Sequence, residues 1–355
     1  MRVIRASSVA LAALLAGCPQ PQSRPAPPPA DAAVDAITPA VADAARAADA
    51  EADAADASPP PPSIGPDEAE RVLFPGAAGT KESPAASCTT GDTDDNRVRC
   101  MIGKRYPSDA AARALALDLF RDTGDVAGVE GETTFDGGFR GTIHIVPEPP
   151  AGPYAKHLEW VAGGLRDFDA VFAAGLATRP GAALSYRWRA LALRFFRSVG
   201  RTTPSAYASG WRVAYNVSGS LNGSATGVRE TLFHEIFHLN DAAHGDWSAR
   251  ALRATFDAIV KKCGAKNMAC LAPYAPSDTV VRGGTYYAFQ PDNGDAVREY
   301  AAELALRWYK EHRAIQRGEK LPKPPFKCGP PENAKAWSAI VAEFWGGIDQ
   351  SPACP

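Results

Sequence analysis

Thr226-Gly227-Val228-Arg229-Glu230-Thr231-Leu232-Phe233-His234-Glu235-Ile236-Phe237-His238-Leu239-Asn240-Asp241 is the stretch on which the reading of this chain turns. Leu232, Phe233, Ile236, Phe237 and Leu239 supply core contacts at helical spacing, Thr226 can cap the N-terminus, and Glu230 suits the first turns. The stretch is therefore expected to be a largely buried helix. His234 and His238 stand at i and i+4, so both imidazoles lie on one face and reach a single metal ion. Glu235 projects about 100° further round the helix, beside the ion rather than on it. That is where a general base for a metal-activated water belongs. A strand over residues 211–217 and a Gly/Ser/Asn-rich loop over 218–227 are expected just upstream. Incidental histidines on a buried helix are the bland alternative.

A tetrahedral catalytic zinc takes a third protein ligand and keeps one position open. Two candidates present themselves. Glu299 sits in Glu299-Tyr300-Ala301-Ala302-Glu303, on a helix expected from 295 to about 313 with Val297, Ala301, Leu304 and Trp308 at helical spacing. Its i+4 partner Glu303 shares that face, so one carboxylate can bind metal while the other orients a ligand histidine. The second candidate is His244. His234, His238, Asp241 and His244 follow the spacing of the long metzincin motif, but Asp241 stands where that family has a turn glycine. Met268, the one methionine downstream, lies between Cys263 and Cys270 rather than in a recognisable methionine turn.

Residues 213–309 resemble the gluzincin branch of the zincin metallopeptidases, and within it the family of the anthrax lethal factor catalytic domain. The likeness rests on His234 to His238 followed by Asp241, an intervening helix expected over 247–262, Tyr286-Tyr287, and Glu299 to Glu303. It implies His234, His238 and Glu299 as ligands of one Zn2+, Glu235 as base, and Glu303 and Asp241 as supporting residues behind the ligands. It also implies a tyrosine hydroxyl, Tyr286 or Tyr287, that stabilises the oxyanion; His244 is a further donor for that role. The activity so implied is hydrolysis of a peptide or protein substrate. A peptide is expected to lie along a sheet-edge strand, with residues 211–217 as the candidate. The rivals are a zinc-binding surface lipoprotein without catalysis, a metzincin-type protease using His244, and a zincin acting on other bonds.

Working outward, Met1 to Arg5 carry two arginines, and a short run of small and apolar residues leads to Leu15-Ala16-Gly17-Cys18. The run is far shorter than the roughly 20 residues of a spanning helix, and it resembles a bacterial lipoprotein signal. Residues 1–17 are thus expected to be removed and Cys18 to be lipidated, anchoring an exported protein at the outer membrane or cell surface. Residues 18–86 are expected to be a disordered tether, because 12 of the 31 prolines lie between Pro19 and Pro66 amid Ala and Asp. Six further cysteines remain: Cys88, Cys100, Cys263, Cys270, Cys328 and Cys354. An even number in an exported chain reads as three disulfides, and pairing neighbours in sequence is the simplest of 15 connectivities. With 38 Lys and Arg against 40 Asp and Glu, the chain lacks the basic excess that nucleic acid demands.

Residues 87–210 read as mixed α and β: a helix from 108 to 121 capped by Ser108 or Asp109, a strand over 139–146, and a helix over 154–174. Residues 184–199 are ambiguous, with Tyr186 to Arg189 alternating as in a strand. Residues 211–355 are the expected catalytic part. The fold class is α+β, zincin-like, with a small mixed sheet packed on the helix of the two histidines and a second helix bearing the glutamates.

Overall fold

The computed structural model describes residues 63–88, 93–136, 141–281, 283–291 and 295–355. The expected signal segment, Cys18 and the tether as far as residue 62 lie outside them. Among the described residues no helix is long and apolar enough to cross a membrane.

The expected end of the tether is corrected. Within it, α1 (Pro66–Leu73) begins with Pro at its first position and buries Ala69, Val72 and Leu73. Ile64 is already tied down, its N–H donating to Gly124 O. The Pro-rich composition had hidden one turn-and-helix segment with enough apolar surface to dock. Its seat is a strand residue without a side chain: a Cβ on Gly128 would meet Val72 O at 2.0 Å. Arg212 Nε donates to Glu68 Oε1 at 2.9 Å across the same contact. Next come α2 (Asp94–Arg105) and α3 (Ala110–Thr123). Asp109 caps α3 through Ala112 N–H, and Gly124 ends it with φ +71°.

The sheet is mixed. Its order is β2 (Thr133–Asp136), β3 (Thr142–Pro147), β4 (Ala192–Ser198), β6 (Arg212–Asn216), β5 (Ala206–Ser209), with β1 (Val126–Val129) beside β4. β1 and β6 run parallel to β4, whereas β2–β3, β3–β4 and β5–β6 are antiparallel. Strand alternation divides the faces. Leu193, Phe195, Val213 and Tyr215 join the main core, while Phe196 and Ala214 join Ile143 and Ile145 in a small cluster on the reverse side. Residues 211–217 are therefore not an edge: β6 is paired on both sides, and the edge beyond it is β5. The alternation of Tyr186 to Arg189 belongs to irregular chain, not to a strand. Asp125 takes the Leu191 N–H there (2.6 Å), and Ala190 turns the chain with φ +54° before β4 begins.

Helices cover the main face. α4 (Ala155–Thr178) and α5 (Ala225–Ala243) lie against one another, and α9 (Ala296–Gln316) packs on both. Phe233 on α5 is the hinge of this packing, with its ring 4.5 Å from Tyr309 and 5.1 Å from Phe168. Such aromatic pairs add about 0.5–1.5 kcal/mol each beyond area burial. The single helix expected over 247–262 is two, α6 (Trp247–Ala251) and α7 (Arg253–Cys263), broken at Leu252. After α8 (Met268–Leu271), the strands β7 (Val280–Val281) and β8 (Thr285–Tyr286) make a hairpin separate from the main sheet. α10 (Pro331–Phe344) closes the fold. The cysteines pair as neighbours: Cys88–Cys100, Cys263–Cys270 and Cys328–Cys354.

Candidate metal centre

α5 is capped two residues earlier than Thr226 suggests. Ser224 accepts the Gly227 N–H, and a side chain at Gly227 would strike Leu221 O at 2.2 Å, so the loop folds tightly onto the first turn. Val228, Leu232, Phe233, Ile236 and Phe237 are buried around the helix. His234, Glu235, Asn240 and Asp241 are buried as well. Buried polar groups need partners: those of His234 come from α9, those of Asn240 from the chain before β4 and from Ile236, and those of Asp241 from Ser248.

α9 is capped by Asp295, which accepts the Val297 N–H and also holds Arg253 Nη2 at 2.6 Å. Val297, Tyr300, Ala301, Leu304 and Trp308 bury its apolar stripe. This register delivers Glu299 and Glu303 to α5. His234 Nε2 lies 3.2 Å from Glu299 Oε2 and 3.1 Å from His238 Nε2, and His238 Nε2 lies 3.6 Å from the same oxygen. His234, His238 and Glu299 form a group that could hold a metal ion, their ligand atoms all within 4.8 Å of one another. A tetrahedral ion with bonds of about 2.0–2.1 Å separates its donors by about 3.3 Å. The three observed separations bracket that value. Two imidazoles and one carboxylate are also a donor set that suits a divalent cation such as zinc.

The supporting contacts divide cleanly. His234 Nδ1 lies 3.1 Å from Glu303 Oε1, an arrangement in which Nδ1–H donates and the Nε2 lone pair is left for a cation. The other oxygen of Glu303 is buried without a partner. Tyr287 OH donates to Glu299 Oε2 at 2.7 Å. Tyr286, the last residue of β8, packs on the main core instead, whereas Tyr287 opens the 3-10 turn Tyr287–Phe289. Asp241 has both oxygens on Ser248, accepting its N–H and its hydroxyl at 2.7 Å each, and so fixes the turn from α5 into α6. His244 lies outside the group. It caps the C-terminus of α5, pairs with Glu343 at 2.7 Å and lies tilted against the Phe344 ring, 4.7 Å between centroids.

Charge is concentrated here. Burial alone would lower the pKa of His234, but hydrogen bonds and charge from Glu299 and Glu303 raise it well above the usual value. Burial opposes ionisation of Glu299 too, yet His238 and His234 hold it well below the usual carboxylate range. Glu235 differs: burial raises its pKa, with His234 and His238 countering. One carboxylate is thus held as a strong anion and its neighbour is made more basic.

Two supports escaped the sequence. Asn240 clamps α5 to the chain before β4, with Oδ1 accepting Arg187 N–H (2.7 Å) and Nδ2 donating to Arg187 O (2.8 Å). A lone Asn among core positions of a buried helix was the signal available. Thr285, buried beside the metal group's tyrosine, carried no signal at all. Compared with protein-family models, curated proteins and solved structures, the chain shows no match.

Proposed function

We propose that this chain is a zinc-dependent metallopeptidase of the gluzincin type, with His234, His238 and Glu299 as ligands and Glu235 as general base. The observation that carries the reading is the convergence of two imidazole Nε2 atoms and one carboxylate oxygen, with a buried glutamate at the next helix position. Bound zinc supplies a Lewis acid for the scissile carbonyl and a water of lowered pKa. Glu235 takes the proton of the attacking water and passes it to the leaving amine; its raised pKa suits both transfers. Tyr287 offers its hydroxyl to the developing oxyanion from its place beside Glu299. Glu303 keeps His234 oriented. The substrate is a peptide laid along β5, the free edge beside α5, by strand addition.

The engagement of His244 with Glu343 favours Glu299 as third ligand over a metzincin arrangement. Three disulfides fit an oxidising compartment. Together with the lipoprotein-like segment ending at Cys18, they support an exported domain held at a membrane by a lipid anchor.

The test compares wild type with Glu235→Gln on a broad peptide library, with zinc measured in both. The variant keeps zinc and loses about 10²- to 10⁴-fold in rate. Equal rates remove Glu235 as base. Zinc-loaded wild type that cleaves nothing turns the reading towards a binding protein.

A further inference from the structure

Tyr287 enters the metal group from an element with little stability of its own. β7 and β8 are two residues each and pair only with one another, Val280 with Tyr286 and Val281 with Thr285. An isolated pair of strands is marginal even at several times that length. The hairpin therefore depends on what it docks against. Besides the Tyr287 hydroxyl on Glu299, one bond closes the hairpin and two contacts tie it to neighbouring segments. Tyr287 N–H donates to Thr279 O at 2.8 Å, closing the hairpin on itself. Phe289 packs between Phe256 of α7 and Tyr300 of α9, 5.6 Å from each ring. Between these, Thr285 Oγ1 donates to Ala265 O.

Ala265 belongs to no regular element. It lies in the turn between α7 and α8 that the Cys263–Cys270 disulfide closes. That turn opens with Gly264 at φ +70° and ends where Asn267 accepts the Cys270 N–H. The covalent link fixes the carbonyl to which the hairpin is pinned. Thr285 begins β8, and Tyr287, two residues on, opens the short 3-10 turn Tyr287–Phe289 that follows the strand directly. Both are buried, Thr285 at 4% and Tyr287 at 6% exposure, whereas Tyr286 between them is half-buried. The hydroxyl that anchors β8 and the hydroxyl on Glu299 thus stand two residues apart on one short buried segment.

We infer that Thr285, held by the Cys263–Cys270 turn, is a positioning residue that sets the Tyr287 hydroxyl in the active site. The inference rests on the peptidase reading for its kinetic consequence. Its structural content stands apart from that reading. Thr285 and the disulfide touch no reacting atom; they act through Tyr287 alone. Their loss should therefore lower turnover without stripping metal, and only in a protein that still has the tyrosine hydroxyl.

The experiment uses the zinc-loaded chain with Thr285→Val, which keeps the shape and removes the donor, Thr285→Ser, which keeps the donor, and the double variant Cys263→Ser/Cys270→Ser. Misplacement of a reacting or stabilising group by about 1 Å lowers rate by up to ~10²-fold. Thr285→Val and the double cysteine variant should lose about 10-fold or more in kcat, with KM and zinc content within about twofold of wild type. Thr285→Ser should match wild type. In a Tyr287→Phe background, Thr285→Val should cause no further loss, because residues acting through one another are not additive. Wild-type kcat in Thr285→Val, or a full additional loss in the Tyr287→Phe background, overturns the inference. Hydrogen exchange of amides 283–289 supplies a readout free of activity. Faster exchange there in Thr285→Val and in the double cysteine variant, with α5 and α9 unchanged, supports the inference. Unchanged exchange overturns it, even if wild type hydrolyses no peptide and the peptidase reading falls. Should Thr285→Val fail to fold, the double cysteine variant against Thr285→Ser decides the same question.

Discussion

Replacing Glu303 grades the support behind His234, a proposed metal ligand. Glu303 accepts from His234 Nδ1 at 3.1 Å and is almost fully buried. Hydrogen bonds to charged groups contribute about 1.5–3 kcal/mol and neutral ones about 0.5–1.5 kcal/mol. Glu303→Gln keeps the shape and an acceptor oxygen but loses the charge, so the difference is about 1–1.5 kcal/mol. At 1.4 kcal/mol per decade that is roughly a 5- to 10-fold weaker hold on zinc. Glu303→Leu removes the acceptor altogether and frees the ring of His234, which places it in the 10- to 100-fold range for groups behind a ligand histidine. The assay is competition with a chromophoric chelator at fixed pH, after circular dichroism has shown each variant folded. The graded order is wild type, then Gln, then Leu. Equal zinc affinity in all three would refute the claim that Glu303 orients His234, as would a Gln variant weaker than Leu.

Two further outcomes follow from other parts of the molecule. His312 is fully buried, donating from Nδ1 to Trp308 O and accepting the Gln350 N–H at Nε2, and burial pushes its pKa down to about 4. Unfolded chain takes up that proton near the ordinary value of about 6.5. Stability from this site is therefore complete above about pH 6.5 and lost as pH falls towards 4, about 3 kcal/mol in all. Denaturation of zinc-free wild type and His312→Gln from pH 8 to 4 should show a shallower decline in the variant, and identical slopes refute it. For the anchor, wild type expressed in a Gram-negative host should label with palmitate and sediment with membranes. Cys18→Ser should do neither, and a soluble, unlabelled wild type rejects the anchor.

What could be read without coordinates was local. The two histidines and two glutamates each lie at i and i+4, so helical geometry alone put each pair on one face; the structure then brought the faces together. The cysteine pairs were legible because each joins neighbours in sequence. Strand order was not, since pairing is non-local: nothing in residues 206–217 says that β5 rather than β6 is the free edge. α1 was lost because the residues before it are Ala and Pro, and its value lies in docking on Gly128. Tyr286 and Tyr287 are chemically identical neighbours, separated only because β8 ends at the first and the turn that reaches Glu299 begins at the second. The alternation at Tyr186 to Arg189 misled because the chain there is held by Asn240 and Asp125 rather than by a ladder.

The central claim is that the chain holds zinc with His234, His238 and Glu299. Zinc content of folded wild type, Glu299→Ala and His244→Ala, measured after dialysis against a zinc buffer, tests it most directly. The account predicts about one zinc per chain in wild type and in His244→Ala, and a steep loss in Glu299→Ala. Zinc retained by Glu299→Ala and lost by His244→Ala would contradict it.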